Sequence, residues 1–274
     1  EEFVAKYTCN SHTLKELTLL LNQIKLPNSL RFGVESAFIH YMAQVQKKAV
    51  TEVLGLAPTA PLKTSYSLPI MEPTQIAKFI KTNNLERFQT LKIKVNQESA
   101  FELITTVSRH YSGKLSIDAN ESWSDPGQVI KFLDEISPIE LEYLEQPLPA
   151  TLCDEQRYLK EHSSTPIIAD ESLIDQNVTD DLCNQFDGVN IKLMKSGGYL
   201  KAIQQIREAK RSGLKVMIGC MIESSLGISS ALNLTGEGVD FADLDGFLHL
   251  ERDPFEAVRE RDGRLFCPGP IKPI

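Results

Sequence analysis

Residues 90–96 read TLKIKVN. Leu91, Ile93 and Val95 alternate with Lys92 and Lys94, so this short strand has one apolar face and one face carrying two ammonium groups. At 98–110 apolar residues recur at spacings of three and four, the period of an amphipathic helix, and another apolar run follows at 115–119. Strand, helix, strand is the unit that sets neighbouring strands parallel. The beat continues along the chain. Runs at 64–70, 140–145, 166–169, 188–193, 215–220 and 240–244 bring the strands to eight at a repeat of about 25 residues, with further helical stretches at 125–136 and 199–211. Eight such units predict a (β/α)8 TIM-type barrel, whose chemistry gathers at the C-terminal strand ends. A doubly wound open sheet is the structural competitor, because a strand count alone does not close a barrel.

Residues 1–61 read differently, as a small and apparently shortened N-terminal helical capping region. A helix cap is expected at Asn10 or Ser11, a helix at 14–24 and a longer one from 30 to about 54. Phe32, Val34, Phe38, Tyr41, Met42 and Val45 are expected to pack on one another and on the barrel rim. The barrel proper is placed at 62–252, and the Pro-rich segment 253–274, with a turn at Asp262-Gly263, is expected to return towards the cap.

Composition narrows the function. The 274 residues are 42 % hydrophobic and carry a net charge of -8 without basic tracts, which argues against nucleic acid and anionic membranes and leaves small molecules as partners, with self-association allowed. Cys9, Cys153, Cys183, Cys220 and Cys267 are odd in number and lack CxxC spacing, so neither a disulfide framework nor a zinc site is indicated. Apolar runs such as 216–222 are too short to span a bilayer, and no signal-peptide pattern opens the chain, so a cytoplasmic location is expected. The first residue is not Met, which suggests a partial or processed chain.

The strand ends carry the chemistry. The second strand ends in Lys92 and Lys94, the third in Asp118-Ala119-Asn120, the fourth in Glu145-Gln146-Pro147, the fifth in Asp170-Glu171-Ser172 and the sixth in Asn190-Ile191-Lys192. Asp118, Glu145 and Asp170 fall 27 and 25 positions apart, one per module. In a barrel they would crowd three carboxylates into one mouth, where their repulsion calls for a cation. A set of hard oxygens suits Mg2+, with Mn2+ the softer alternative, and fits zinc poorly. Lys94 and Lys192 would face this centre from opposite sides as two bases, and Lys92 would lower the proton affinity of Lys94 by its charge. Lys195, three residues after Lys192, is the weaker candidate.

These motifs resemble the enolase superfamily and, within it, the muconate-lactonizing subgroup: KIK ending in Lys94, DAN at Asp118, EQP at Glu145, DES at Asp170 and IKLMKSGG with Lys192. The resemblance implies Mg2+ on Asp118, Glu145 and Asp170 binding a substrate carboxylate, with Lys94 and Lys192 exchanging the α-proton through an enediolate. IGCMIESSLG, with Cys220 and Met221 beside the substrate, and DLD, with Asp243 and Asp245, look like dipeptide epimerases of the L-Ala-D/L-Glu type. In that group the Asp-x-Asp pair receives the dipeptide's ammonium, so an isomerase is implied. The helix SLRFGVESAFIHYMAQ also resembles o-succinylbenzoate synthases, which keeps a lyase or cycloisomerase as the alternative. A non-catalytic, metal-binding barrel is the third reading, because the family's cap is larger than this one.

Overall fold

A computed structural model of the chain describes residues 13–59 and 61–268. The strands are β1 (Leu62–Lys63), β2 (Tyr66–Leu68), β3 (Thr90–Lys94), β4 (Lys114–Asp118), β5 (Leu141–Glu145), β6 (Ile167–Ala169), β7 (Gly188–Lys192), β8 (Lys215–Gly219), β9 (Phe241–Asp243), β10 (Arg259–Arg261) and β11 (Arg264–Phe266). Strands β2 to β9 form one eight-stranded sheet in sequence order, every adjacent pair parallel. Its two edges meet: Ser65 N–H donates to the Ala242 carbonyl at 2.9 Å, and Leu244 N–H to Thr64 Oγ1 at 2.8 Å. The sheet is therefore the near-closed TIM-type barrel, not the open alternative. All eight expected strands are present.

Register decides what reaches the mouth. Lys94 lies beside Asp118, Asp118 beside Glu145, and Glu145 beside Ile168, two residues before Asp170 on the same face. On the other side, Lys192 lies beside Gly219 and Gly219 beside Asp243. Outward-facing Leu91, Ile93, Val189 and Ile191 are buried under the surrounding helices, forming the apolar layer between sheet and helices.

The cap differs from expectation in three respects. Helix α1 (Leu14–Asn22) is capped by Thr13, whose hydroxyl accepts from Glu16 N–H at 3.2 Å; Asn10 and Ser11 lie outside the described residues. The long second helix is two: α2 (Asn28–Gln46) stops where Lys47 turns left-handed at φ 53, and α3 (Val50–Leu54) restarts with Glu52 accepting from Ala49 N–H at 2.6 Å. The face α2 buries is Phe32, Glu35, Ile39 and Ala43, whereas Tyr41 and Val45 are 59 % exposed.

Glu35 explains the choice of face. It is 2 % exposed and accepts the Leu200 N–H at 3.1 Å at the start of helix Tyr199–Arg211, where a carboxylate also meets the positive end of the helix dipole. Gly198, at φ 139, makes room for it: a Cβ there would lie 2.3 Å from Glu35 Oε1. Asn28, at the start of α2, donates to the Lys195 carbonyl at 2.7 Å. The cap thus grips the turn that follows β7.

A three-stranded sheet absent from the sequence reading joins β1, β11 and β10. The hairpin turns at Asp262 and Gly263, both at positive φ, and lays Leu265 beside Leu62. The C-terminal segment therefore docks on the strand leading into the barrel.

Candidate active site

A cavity of about 450 Å³ opens at the C-terminal strand ends, lined by Lys92, Lys94, Asp118, Asp170, Lys192, Lys195, Asp243 and Asp245 among others. A second cavity, of about 370 Å³, lies at the other end of the barrel and holds none of these residues.

Lys92 is at the centre, 2 % exposed. Its Nζ lies 2.6 Å from Asp243 Oδ2, 2.7 Å from Glu145 Oε2 and 3.3 Å from Asp118 Oδ2. Burial opposes its charge, yet the three acids hold its pKa well above the ordinary lysine value. Lys94, on the same strand face but nearer solvent, donates to Asp118 at 2.8 Å and to Asn120 Oδ1 at 2.9 Å. Burial would raise Asp118; Lys92 and Lys94 outweigh it and hold the carboxyl below the usual range.

Across the mouth Lys192 donates to Asp170 Oδ2 at 2.7 Å, and Lys195 reaches Asp170 Oδ1. Burial of Asp170 is overcome by Lys192, Lys195 and Lys92, which keep it ionised far below the ordinary carboxylate value. The two lysines separate. Burial of Lys192 is more than offset by Asp170 and Glu145, so it is raised, whereas burial wins at Lys195, which is lowered. The lowered lysine of this conformation is therefore the one the sequence ranked second. It reaches the site because Leu193–Ser196 form a single helical turn directly after β7.

Asp243 and Asp245 are both buried and differently employed. Asp243 takes Lys92 and the Ser65 hydroxyl at 2.8 Å, while Asp245 takes Ser67 N–H at 2.6 Å and His249 at 2.9 Å. Cys220 accepts Gly246 N–H at 3.4 Å, and burial, with Asp243 and Asp245, pushes its thiol well up, so it lines the cavity as a neutral group. Gly246 allows this approach, since a Cβ would sit 2.2 Å from the Met221 carbonyl oxygen. Met221 and Ile222 present exposed apolar surface at the rim.

All ten candidate residues thus meet at one end of the barrel. Asn190 was named at its strand end without a role, and His249 went unnoticed in the sequence. Asn190 Nδ2 holds Glu145 Oε1 at 2.8 Å, and its position two residues before Lys192 on one strand face was the available signal. Asn120, two residues after β4, and Gln146, directly after β5, sit at φ 41 and 35, a strained geometry typical of functional strand ends.

The donor set fits a hard divalent cation. Glu145 Oε2 is buried and makes no hydrogen bond, although Lys92 is 2.7 Å away. Burial pushes the Glu145 carboxyl up to about 8 against the pull of Lys92, with Asp118 and Asp170 adding to the rise, so the acids are short of positive charge. In this conformation lysines bridge them, and among the described residues no three His, Cys, Asp or Glu side chains are gathered around one point.

Fold and site together define a (β/α)8 barrel with an acid and lysine centre at its C-terminal mouth. A family model described as Enolase C-terminal domain-like matches residues 75–265, and the chain belongs to that family. It is 34 % identical over 250 residues to an L-Ala-D/L-amino acid epimerase of a Maribacter species, an alignment covering 90 % of this chain and 72 % of the relative. Its fold superposes with TM-score 0.85, at 26 % identity, on a dipeptide epimerase from Enterococcus faecalis complexed with Mg and L-Leu-L-Tyr, covering 94 % of this chain and 75 % of that one. The substrate-liganded L-Ala-D/L-Glu epimerase from Bacillus subtilis superposes with the same TM-score at 25 % identity, covering 96 % and 77 %. These relatives place the chain among isomerases. No helix among the described residues is long and apolar enough to cross a membrane.

Proposed function

We propose that the chain catalyses Mg2+-dependent epimerisation at the α-carbon of a dipeptide's C-terminal residue, with Lys94 and Lys192 as the two bases. The observation that carries this reading is their placement on separate strand ends of one cavity, each tied to a different acid, Asp118 and Asp170. A base on each side of a carbon can remove a proton from one face and return it on the other, which is what inversion needs. The acids at the mouth outnumber the lysines, which suits an added cation. The dipeptide specificity named for the relatives supports the substrate class.

Asp118, Glu145 and Asp170 would hold Mg2+, which supplies positive charge beside the substrate carboxylate when bound. Lys92 fixes the directions of Asp118, Glu145 and Asp243 by its three contacts. Lys195 orients Asp170 beside Lys192. Asp243 and Asp245 would receive the dipeptide's ammonium, with Cys220, Met221 and Ile222 as the less polar wall around it.

Calorimetric titration tests the metal assignment: Glu145→Gln should weaken Mg2+ binding by about tenfold or more, because a neutral amide removes one charge from the cluster. Unchanged affinity would take Glu145 out of the ligand set. The dipeptide assignment is tested by Asp245→Asn, expected to lower kcat/KM by about tenfold to a hundredfold through loss of a charge-assisted hydrogen bond. N-acetylation of the dipeptide should cost the parent a similar factor and the variant much less, since both changes remove one interaction. Equal turnover of free and acetylated dipeptide by the parent would refute ammonium binding and favour a synthase reaction.

A further inference from the structure

The two carboxylates of the Asp243-Leu244-Asp245 turn differ in what neutralises them. Asp243 is matched by the buried ammonium of Lys92 at 2.6 Å. Asp245, 3 % exposed, has no lysine against it among the described residues; its Oδ2 accepts Ser67 N–H at 2.6 Å and faces His249 Nε2 at 2.9 Å, and its Oδ1 is left with a 3.3 Å contact from the Ser67 hydroxyl. His249 lines the same cavity as the lysines, and its ring packs on Tyr66 of β2 with centroids 5.1 Å apart. A titratable ring is thus fixed on the one carboxylate of the pair whose charge is otherwise free to meet a substrate.

We propose that His249 sets the specificity of this end of the cavity for a free amine, by aiming Asp245 and by deciding, through its own proton, whether that carboxylate presents net charge. The inference rests on the reading that Asp243 and Asp245 receive the substrate's ammonium. With a neutral ring, Nε2–H donates to Asp245 and the pair keeps one negative charge. With a protonated ring the pair is neutral, and an arriving ammonium gains little.

Among the described residues, the titratable groups facing the ring are Asp245, Asp243 behind it and Tyr66 from β2. The Tyr66 hydroxyl stays neutral, since burial and then Asp245 push it up. The hydrogen bond to Asp245 holds His249 above the ordinary 6.5, against the opposing pull of burial. The sign follows. As pH rises through the raised His249 titration the ring loses its proton, the subsite becomes negative and selection for the amine strengthens; as pH falls the selection is lost. The substrate amine's own deprotonation, at about 7.7–8.0, closes the window from above.

The test compares a dipeptide with its des-amino analogue, in the parent and in His249→Gln, which keeps a donor for Asp245 and cannot acquire a charge. Taking the ratio of kcat/KM for the two substrates cancels every titration they share. In the parent this ratio should fall by about tenfold as pH drops through the His249 titration, while in His249→Gln it should stay level on the acid side. In the parent alone, the NMR titration midpoint of the His249 ring should move down when dipeptide saturates the site. Superimposable acid limbs in the two proteins, or a His249 midpoint unmoved by dipeptide, would overturn the role given to His249 while an amine preference persists. A parent that turns over both substrates equally at every pH would instead overturn the ammonium reading beneath it.

Discussion

Lys192→Ala should lower epimerisation by about a thousandfold or more, within the range by which a positioned acid or base accelerates proton transfer. Lys192 sits on β7 with its ammonium 2.7 Å from Asp170, while Lys94 is held on β3 by Asp118 and Asn120 at 2.8 and 2.9 Å. Neither can take the other's place, because each is anchored to its own strand end. A protein lacking one lysine can still withdraw a proton from the face served by the other. The variant should therefore exchange the α-proton of one stereoisomer with solvent while failing to invert it, and Lys94→Ala should show the same behaviour with the opposite stereoisomer. Chiral chromatography of the product, read beside deuterium uptake, separates the two. Inversion by Lys192→Ala at near the parent rate would refute the two-base assignment.

Lys92→Met should be the most destabilising single change in the site. The ammonium is 2 % exposed and contacts Asp118, Glu145 and Asp243, so removing it leaves three buried acids without their shared counter-charge. Breaking a buried ion pair from one side costs about 3–5 kcal/mol, because the remaining charge is stranded. In a chain of this size that is a fall in Tm of about 6–20 °C. If Asp118 and Glu145 also hold Mg2+, adding the ion should recover more stability in the variant than in the parent, since it replaces charge that only the variant lacks. Thermal melts with and without Mg2+ check both statements, and a variant melting with the parent would mean that the acids do not depend on Lys92.

The barrel and its acids were legible in TLKIKVN and its successors because they obey short-range rules. A period of two fixes which side chains share a face, and the regular strand and helix beat fixes which strand ends are neighbours. What escaped depends on contacts between distant parts of the chain. Lys92 was read as a charge acting on Lys94, yet its shortest contact is with Asp243, across a seam closed by β2 and β9. Lys195 looked too far along the chain, and only the single helical turn after β7 returns it to Asp170. Glu35 had no role in the sequence reading, because the glycine at 198 that admits its carboxylate lies on a different element. The turn at Asp262-Gly263 between β10 and β11 was legible, but β1 pairs with β11 about 200 positions away, too far for any local pattern to announce.

Proton exchange tests the central claim most directly. A dipeptide incubated with the Mg2+-loaded protein in D₂O should acquire deuterium at the α-carbon of its C-terminal residue, at no other carbon, and at a rate that matches or exceeds inversion at that centre. Inversion without deuterium uptake, or uptake at the N-terminal residue, would contradict an epimerase that works by α-proton transfer between Lys94 and Lys192.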